Sequence, residues 1–413
     1  MIAWVLYDFA NSPFTTLVIT FIYATYFTEA IAADTIEGTV LWSRAVTITA
    51  LVVAICSPVL GAIADSGGLR KTFLFWSTLV SIIATAALYW VVPGQVLAAL
   101  VLVVIANIAF EFGTVFYNAF LPDISTPRTI GSVSGWGWGT GYAGGLLALV
   151  VALVGFVQTD APWFGFSADG GENIRATNLV VAVWFLVFSL PFFVFVPRAR
   201  RHPARAGGLA TDSFRRLIRT FREIRKHRET VKFLIARLIY NDGLVTIFAF
   251  GGIYAAGTFG FSIQEVIVFG IVLNLAAGLG SIAMGYLDDR FGAKQTILIS
   301  LWGLTGAGVL ALLATDKLWF WIAGIVLGIF VGPNQSASRS MLGRVAPEDM
   351  KNEFFGFFAL SGKLTAFIGP YLLGVMTEAS GSQRAGVAVV LGMFAVGLVL
   401  MRAVNPVGDG ASA

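Results

Sequence analysis

Twelve long apolar runs decide what this chain can become. They cover approximately residues 3–31, 40–63, 72–93, 95–119, 130–156, 176–197, 232–257, 263–286, 294–315, 317–341, 353–378 and 384–404, divided by charges, Gly/Pro turns or polar clusters. A helix needs about 20 mostly apolar residues to cross hydrocarbon, and every run reaches that length. Barrel strands would instead give segments of about 10 residues with alternating hydrophobicity. The expected fold is an all-α membrane protein with twelve transmembrane helices. Composition agrees: of 413 residues only 12% are charged, about half the usual share, too few to cover two or three soluble domains. One cysteine, Cys56, and two histidines, His202 and His227, exclude a disulfide scaffold and a Cys/His metal site. No cofactor and no metal are expected.

Lys and Arg accumulate on the cytoplasmic side of membrane proteins. With the N-terminus inside, 22 of the 27 fall in inner segments or at their edges, including twelve between 198 and 232. The outer loops hold three, Arg175, Lys317 and Arg384, while Arg44 and Lys363 lie within runs. Both termini are therefore expected in the cytoplasm, with a bacterial cytoplasmic (inner) membrane as the setting. The net charge of +4 is a topology signal, and nucleic acid is not expected as a partner. The first run is too long, and lacks the charged start, for a cleavable signal peptide. Its position at the very beginning of the chain points to a trimmed or misannotated start.

The basic stretch divides the chain into an N-terminal six-helix bundle (1–197), a linker (198–231) and a C-terminal six-helix bundle (232–413). In the linker Phe214, Leu217, Ile218, Phe221 and Ile224 recur at helical spacing among Arg215, Arg216, Arg219 and Arg222. Such a basic amphipathic helix suits anionic lipid headgroups; a plain tether between two moving halves is the simpler reading.

The halves look like copies. Gly61 to Asp65, then Gly68, Arg70 and Lys71, follows the second run; Gly285 to Asp289, Arg290, Gly292 and Lys294 follows the eighth. Tyr7-Asp8 opens the first run as Tyr240-Asn241-Asp242 lies in the seventh, and Gly135 and Gly356 sit alike in the fifth and eleventh. Parallel six-helix halves joined by a basic loop resemble the major facilitator superfamily, whose signature loop is similar to both Gly-x-x-x-Asp segments. The resemblance implies that Asp65 with Arg70, and Asp289 with Arg290, latch helices on the cytoplasmic side. Ser66 stands where that signature usually has Arg, which weakens the first copy.

Four blocks carry a narrower resemblance. Tyr7-Asp8-Phe9-Ala10-Asn11-Ser12, Phe116 to Asp123, Asn334 to Ser340, and Glu353 to Lys363 with Gly369-Pro370 resemble the vacuolar amino-acid effluxer-like (autophagy-type) family, also called the "unknown major facilitator" family. The fungal members are similar to exporters of neutral amino acids. The resemblance implies a transporter and not an enzyme.

Ionisable groups at membrane depth cost several kcal/mol unless they face a cavity or a partner. Glu111 and Asp242 lie near the middle of their runs, Lys363 about 15 Å into its own, and Asn107 and Asn274 at similar depth. Asp8 and Arg339 lie nearer the cytoplasmic ends and read as gates. The superfamily resemblance implies that the first, fourth, seventh and tenth helices line the cavity. Glu111 and Asp242 then read as substrate contacts or as coupling groups that load protons when desolvated. The alternative for Glu111 is a structural ion pair with Lys363 or Arg237. Lys363 reads as an anchor for a carboxylate, and Asn107, Tyr142, Asn241 and Asn274 as substrate contacts. The glycines of the fifth run (131, 135, 137, 139, 141, 144 and 145) let backbones approach closely, expected across the seam between halves. The Gly-Pro of the superfamily's antiporter signature is absent there.

No Walker loop occurs, and neither a metal motif nor a nucleophile paired with a base is visible. The expectation is a monomeric secondary transporter of a small polar or zwitterionic solute, an amino acid among them, working by alternating access, with proton coupling open. An exporter of an amphipathic lipid or drug, and a non-transporting membrane sensor, remain as alternatives.

Overall fold

The computed structural model describes residues 1–159, 161–197, 227–261, 263–347 and 350–405; the expected linker helix at 214–224 lies outside them. The described residues form no strand and twelve helices long and apolar enough to span a membrane. These are α1 (Ile2–Ile31), α2 (Val40–Asp65), α3 (Arg70–Trp90), α4 (Val96–Asn118), α5 (Ile130–Val157), α6 (Asp169–Phe195), α7 (Arg228–Phe259), α8 (Val268–Phe291), α9 (Ala293–Leu313), α10 (Lys317–Val345), α11 (Lys351–Ser380) and α12 (Gln383–Arg402). Large apolar side chains such as Ile55, Leu97, Phe195 and Leu313 stand exposed along them, as on a lipid-facing surface.

Local chemistry sets the ends. The chain turns between α3 and α4 through Val92-Pro93-Gly94, where Gly94 takes φ +87°, a conformation only glycine adopts cheaply. Asp316 caps α10 by accepting from Trp319 N–H at 3.1 Å, satisfying one of the orphan donors of a helix start. In α1, Pro13 ends the regular winding and Phe14–Phe21 forms a wider π turn; Thr20 Oγ1 accordingly reaches the Thr15 carbonyl, five residues back, at 2.8 Å.

The chain forms two compact units. The first contains Met1–Cys56, Ser66–Asn118 and the chain from Thr140 to the end of α6. Its buried core includes Phe14, Tyr23, Phe27, Val103 and Leu149. The second contains Ser57–Asp65, Ala119–Gly139 and the described residues from α7 onward, with Tyr254, Phe261, Phe269 and Phe320 in its core. The grouping thus cuts through α2 and α5 and differs from a division at the linker alone.

The glycines of α5 serve two neighbours. Gly131, Gly135 and Gly139 press on α8; a β-carbon at Gly135 would lie 2.3 Å from the Ser281 carbonyl oxygen. Gly141, Gly144 and Gly145 press on α1, and a β-carbon at Gly144 would lie 2.4 Å from the Phe9 carbonyl oxygen. Only the first set packs on the other half of the sequence. The second set corrects the expectation of a single seam, because a helix wedged between two close neighbours needs small residues on both faces.

Candidate functional site: the interrupted eleventh helix

The eleventh helix, expected to be continuous, is two: α11a (Lys351–Lys363) and α11b (Ile368–Ser380). Pro370 lies in the first turn of α11b. It offers no N–H, and its ring would collide with the Ala366 carbonyl if the helix ran through. One face of α7 takes up the loose ends. Arg237 Nη1 donates to the Phe358 carbonyl and to Ser361 Oγ, each at 2.7 Å, and its guanidinium carbon lies 3.5 Å from the Phe358 ring centroid. Asn241 Nδ2 donates to the Gly362 carbonyl at 3.2 Å, and Thr365 Oγ1 donates back to the Leu238 carbonyl at 3.2 Å. On the far side of the break, Gly369 N–H donates to Asp242 Oδ2 at 3.0 Å. The spacing 237, 238, 241, 242 puts these groups on one helical face.

Asp242 is only 2% exposed, and its Oδ1 is buried with no hydrogen-bond partner among the described residues. Gly369 passes so close to α7 that a β-carbon there would meet Thr246 Oγ1 at 2.1 Å. Lys363 is the last residue of α11a. Three expected residues, Asn241, Asp242 and Lys363, thus gather at one break about midway along both helices. Arg237, weighed as a partner for Glu111, gives its guanidinium to α11a instead. Asn274 Nδ2 donates to the Gly270 carbonyl of its own helix at 2.8 Å, away from this cluster.

In the first unit, Glu111 is half-buried on α4, one turn after the buried Asn107. At 100° per residue Glu111 stands nearly opposite Gly113, whose side faces Tyr7, Leu74 and Ser77. Half-buried Asp8 packs at Gly141, its β-carbon 3.6 Å from where one would stand on that glycine, and half-buried Tyr142 is the next residue of α5. α1 and α4 are locked by a reciprocal pair. Trp4 Nε1 donates to the Tyr117 carbonyl at 3.1 Å, Tyr117 OH donates to the Trp4 carbonyl at 2.9 Å, and the rings stack at 4.5 Å.

Several of the expected gate residues hold helix ends within the second unit. Asp289 accepts from the N–H groups of Gly131 and Ser132, at 2.7 and 2.9 Å, capping the first turn of α5. Asp65 accepts from Glu353 N–H at 3.0 Å and from the Asn352 side chain, capping α11a. The cation beside Asp289 is Arg344, at 3.4 Å, and not Arg290, which is exposed over the Phe291 ring. The correction has a geometric cause: adjacent residues on a helix do not face each other. Arg339 donates to the Ser134 carbonyl at 2.7 Å and to its Oγ at 2.9 Å, and Arg70 is buried at the start of α3.

Sequence reasoning missed several members. Asp288 pairs with Arg344 and Ser340, and Lys351 with Asp123 at 2.6 Å. The duplicated acid at 288–289 was a usable signal for the first. The break itself was signalled by Gly362 and by Gly369-Pro370, two breakers in one apolar run. Among the described residues no three His, Cys, Asp or Glu side chains converge as a metal would require.

Solved structures share this architecture. A proton:xylose symporter, XylE, superposes with a TM-score of 0.75 over 98% of this chain and 94% of its own, at 13% identity. The transporter FucP, in an outward conformation, gives 0.77 over 97% of each chain, also at 13% identity. At that identity they show the fold alone, the twelve-span architecture seen in those transporters. The profile of the family described as "Vacuole effluxer Atg22 like" matches residues 31–407, and the chain belongs to that family. An uncharacterised MFS-type transporter of Bacillus subtilis (strain 168), YxiO, is 27% identical over 97% of this chain and 93% of its own. Autophagy-related protein 22 of Coccidioides immitis (strain RS) is 22% identical over 79% of this chain, which spans 65% of that protein.

Proposed function

We propose that this transporter moves a small zwitterionic solute, an amino acid in the favoured case, by alternating access with a proton as coupling ion. The observation that carries the reading is the α11 break. There a carboxylate, Asp242, an ammonium, Lys363, and an amide, Asn241, share the ends of an interrupted helix midway along its span. Interrupted helices are how membrane transporters present backbone dipoles and charge to a polar solute without leaving main-chain groups bare in lipid. An ammonium and a carboxylate brought together into low dielectric each need an opposite charge. Glu111 on α4 supplies a second carboxyl, read as a coupling group. The family's description as vacuole effluxer-like supports efflux as the direction, and the paired opposite charges favour a zwitterion. The charge distribution supports cytoplasmic termini, the bacterial relative YxiO fits an inner-membrane setting, and the protein is read as a monomer whose basic linker suits anionic lipid.

A thermal-shift screen of the purified protein against amino acids, peptides and lipids, followed by proteoliposome counterflow, tests this. Stabilisation and flux with a zwitterion are expected. Flux of an amphipathic lipid or drug with no response to any amino acid moves the assignment to a lipid or drug exporter, and binding without flux moves it to a sensor.

A further inference from the structure

Asp242 is a carboxyl where ionisation is hardest to sustain. It is 2% exposed, its Oδ2 is engaged by Gly369 N–H, and its Oδ1 is buried with no partner among the described residues. The surrounding charges do not neutralise it. Arg237, on its own helix, is spent on Phe358 and Ser361, and Tyr240 OH pairs with Ser338 Oγ of α10. Arg339, the next residue of α10, is held by Ser134. From α12, Met393 and Phe394 pack at Gly243, both without charge. Glu265, just before α8, pairs with Lys317, and the acids of α8 lie at its C-terminal end, Asp288 and Asp289 beside Arg344. Lys363 closes α11a one break-length from Gly369. The positive end of α11b favours a negative carboxylate, but burying an unpaired charge costs more than that dipole returns.

The repeat makes the acid conspicuous. The register that pairs Tyr7 with Tyr240 pairs Phe9 with Asp242. Gly144 of α5 presses on Phe9 as Gly369 of α11 presses on Asp242. The two arms correspond once residues 364–367, the break, are set aside. One half therefore has a continuous helix over an apolar residue, and the other has a broken helix over a buried acid. A hard cation needs room for several oxygen ligands, and the contact between Gly369 and α7 is too close even for a β-carbon. A proton needs no such room.

We propose that Asp242 Oδ1 binds a proton, and that its release loosens the α11 break from α7. This rests on the transport reading above and names the element through which proton binding enters the cycle. The step is a simple protonation: the carboxylate takes one proton from solvent when the break opens and returns it by the same route, with no other bond made or broken. An ionised Oδ1 in that packed position has no donor to replace water, so ionisation and opening belong together.

The test places a spin label at position 364, in the break, as Leu364→Cys in a Cys56→Ser background; Leu364 is exposed, so the label points away from α7. Electron paramagnetic resonance in nanodiscs is recorded between about pH 5 and about pH 9, bracketing the range a buried carboxyl can reach, in sodium-free buffer. Immobile and mobile components are expected to exchange dominance across that range, their ratio changing at least about tenfold. Adding Asp242→Asn, which keeps an acceptor for Gly369 N–H and cannot ionise, should hold the immobile component at every pH. Adding Asp242→Glu should restore a titration with a displaced midpoint. The proposal is overturned by an Asp242→Asn chain that titrates as the parent does, by a parent that does not change with pH, or by a change that follows sodium at constant pH. None of these readouts requires a transported substrate, so failure here and failure of the transport reading are distinguishable.

Discussion

Asp289 accepts from the N–H of Ser132 at 2.9 Å, and at the matching place in the repeat Asp65 accepts from the N–H of Glu353 at 3.0 Å. Each acid ends one helix and caps the start of a helix from the opposite half of the sequence. A charge-assisted bond from carboxylate to backbone N–H contributes about 1.5–3 kcal/mol. Two such caps can therefore hold these helix ends against a competing conformation. We expect Asp289→Asn to weaken the cap, because its Nδ2 cannot accept the second N–H and the pair with Arg344 is lost. If the cap closes the cytoplasmic side, the population moves towards the inward-facing state, and the labelling rate of an introduced Asn274→Cys changes by about tenfold for each 1.4 kcal/mol lost. Asp65→Asn should add to the effect. An unchanged rate in the double variant would leave both acids a folding role only.

The α5–α8 contact gives a stability prediction with an internal control. A β-carbon at Gly135 would stand 2.3 Å from the Ser281 carbonyl oxygen, a backbone atom that cannot turn aside. Gly135→Ala is expected to destabilise the protein by about 1–3 kcal/mol, seen as a lower Tm in detergent. Gly306, in α9, has open space around its β-position. Gly306→Ala should be neutral or raise Tm, since alanine is the better helix former by about 1 kcal/mol. Equal responses would mean that the close approach is not what α5 requires of its glycines.

The spans were legible because hydrocarbon thickness fixes a length that apolar runs must reach, and each run had it. The α11 break was not, because mean apolarity ignores where backbone hydrogen bonds fail. Gly369-Pro370 carried the information, and what makes a break tolerable here is the polar face of α7, which lies far off in the sequence. Asp242 and Asn241 stood out because acids and amides are rare at that depth; what they touch was invisible until Gly362 and Gly369 were placed beside them. The pairing of Asp289 with α5 rather than with Arg290 needed the turn geometry at the end of α8. Two of the family-like blocks, Tyr7 to Ser12 and Phe116 to Asp123, flank one contact: Trp4 and Tyr117 hold each other's carbonyls, which gives those blocks a physical reason to occur together.

Orientation has its own test. With 22 of 27 Lys and Arg assigned to one side, a cysteine at position 167, between α5 and α6, should react with an impermeant maleimide from outside. One at position 208, in the basic linker, should react only after the inner side is opened, both in a Cys56→Ser background. The opposite pattern reverses the topology and moves the gate residues to the outer face.

Glu111 and Lys363 distinguish a binding site from a structural pair. If a proton passes through both carboxyls during the cycle, Glu111→Gln should abolish the pH dependence of transport, as Asp242→Asn should. Only Asp242→Asn should also freeze the spin label at position 364. Lys363→Met is expected to weaken substrates bearing a carboxylate by about tenfold or more, consistent with loss of a desolvated charge partner, while a matched substrate lacking that group changes little. Lys363 ends α11a, where a cation also stabilises the helix terminus by about 0.3–1 kcal/mol, so Tm is measured alongside affinity. A small loss of Tm with a large, carboxylate-specific loss of affinity supports recognition. If Lys363→Met instead unfolds the protein and Glu111→Gln rescues it, the two charges are a structural pair, and the zwitterion must find its partners elsewhere.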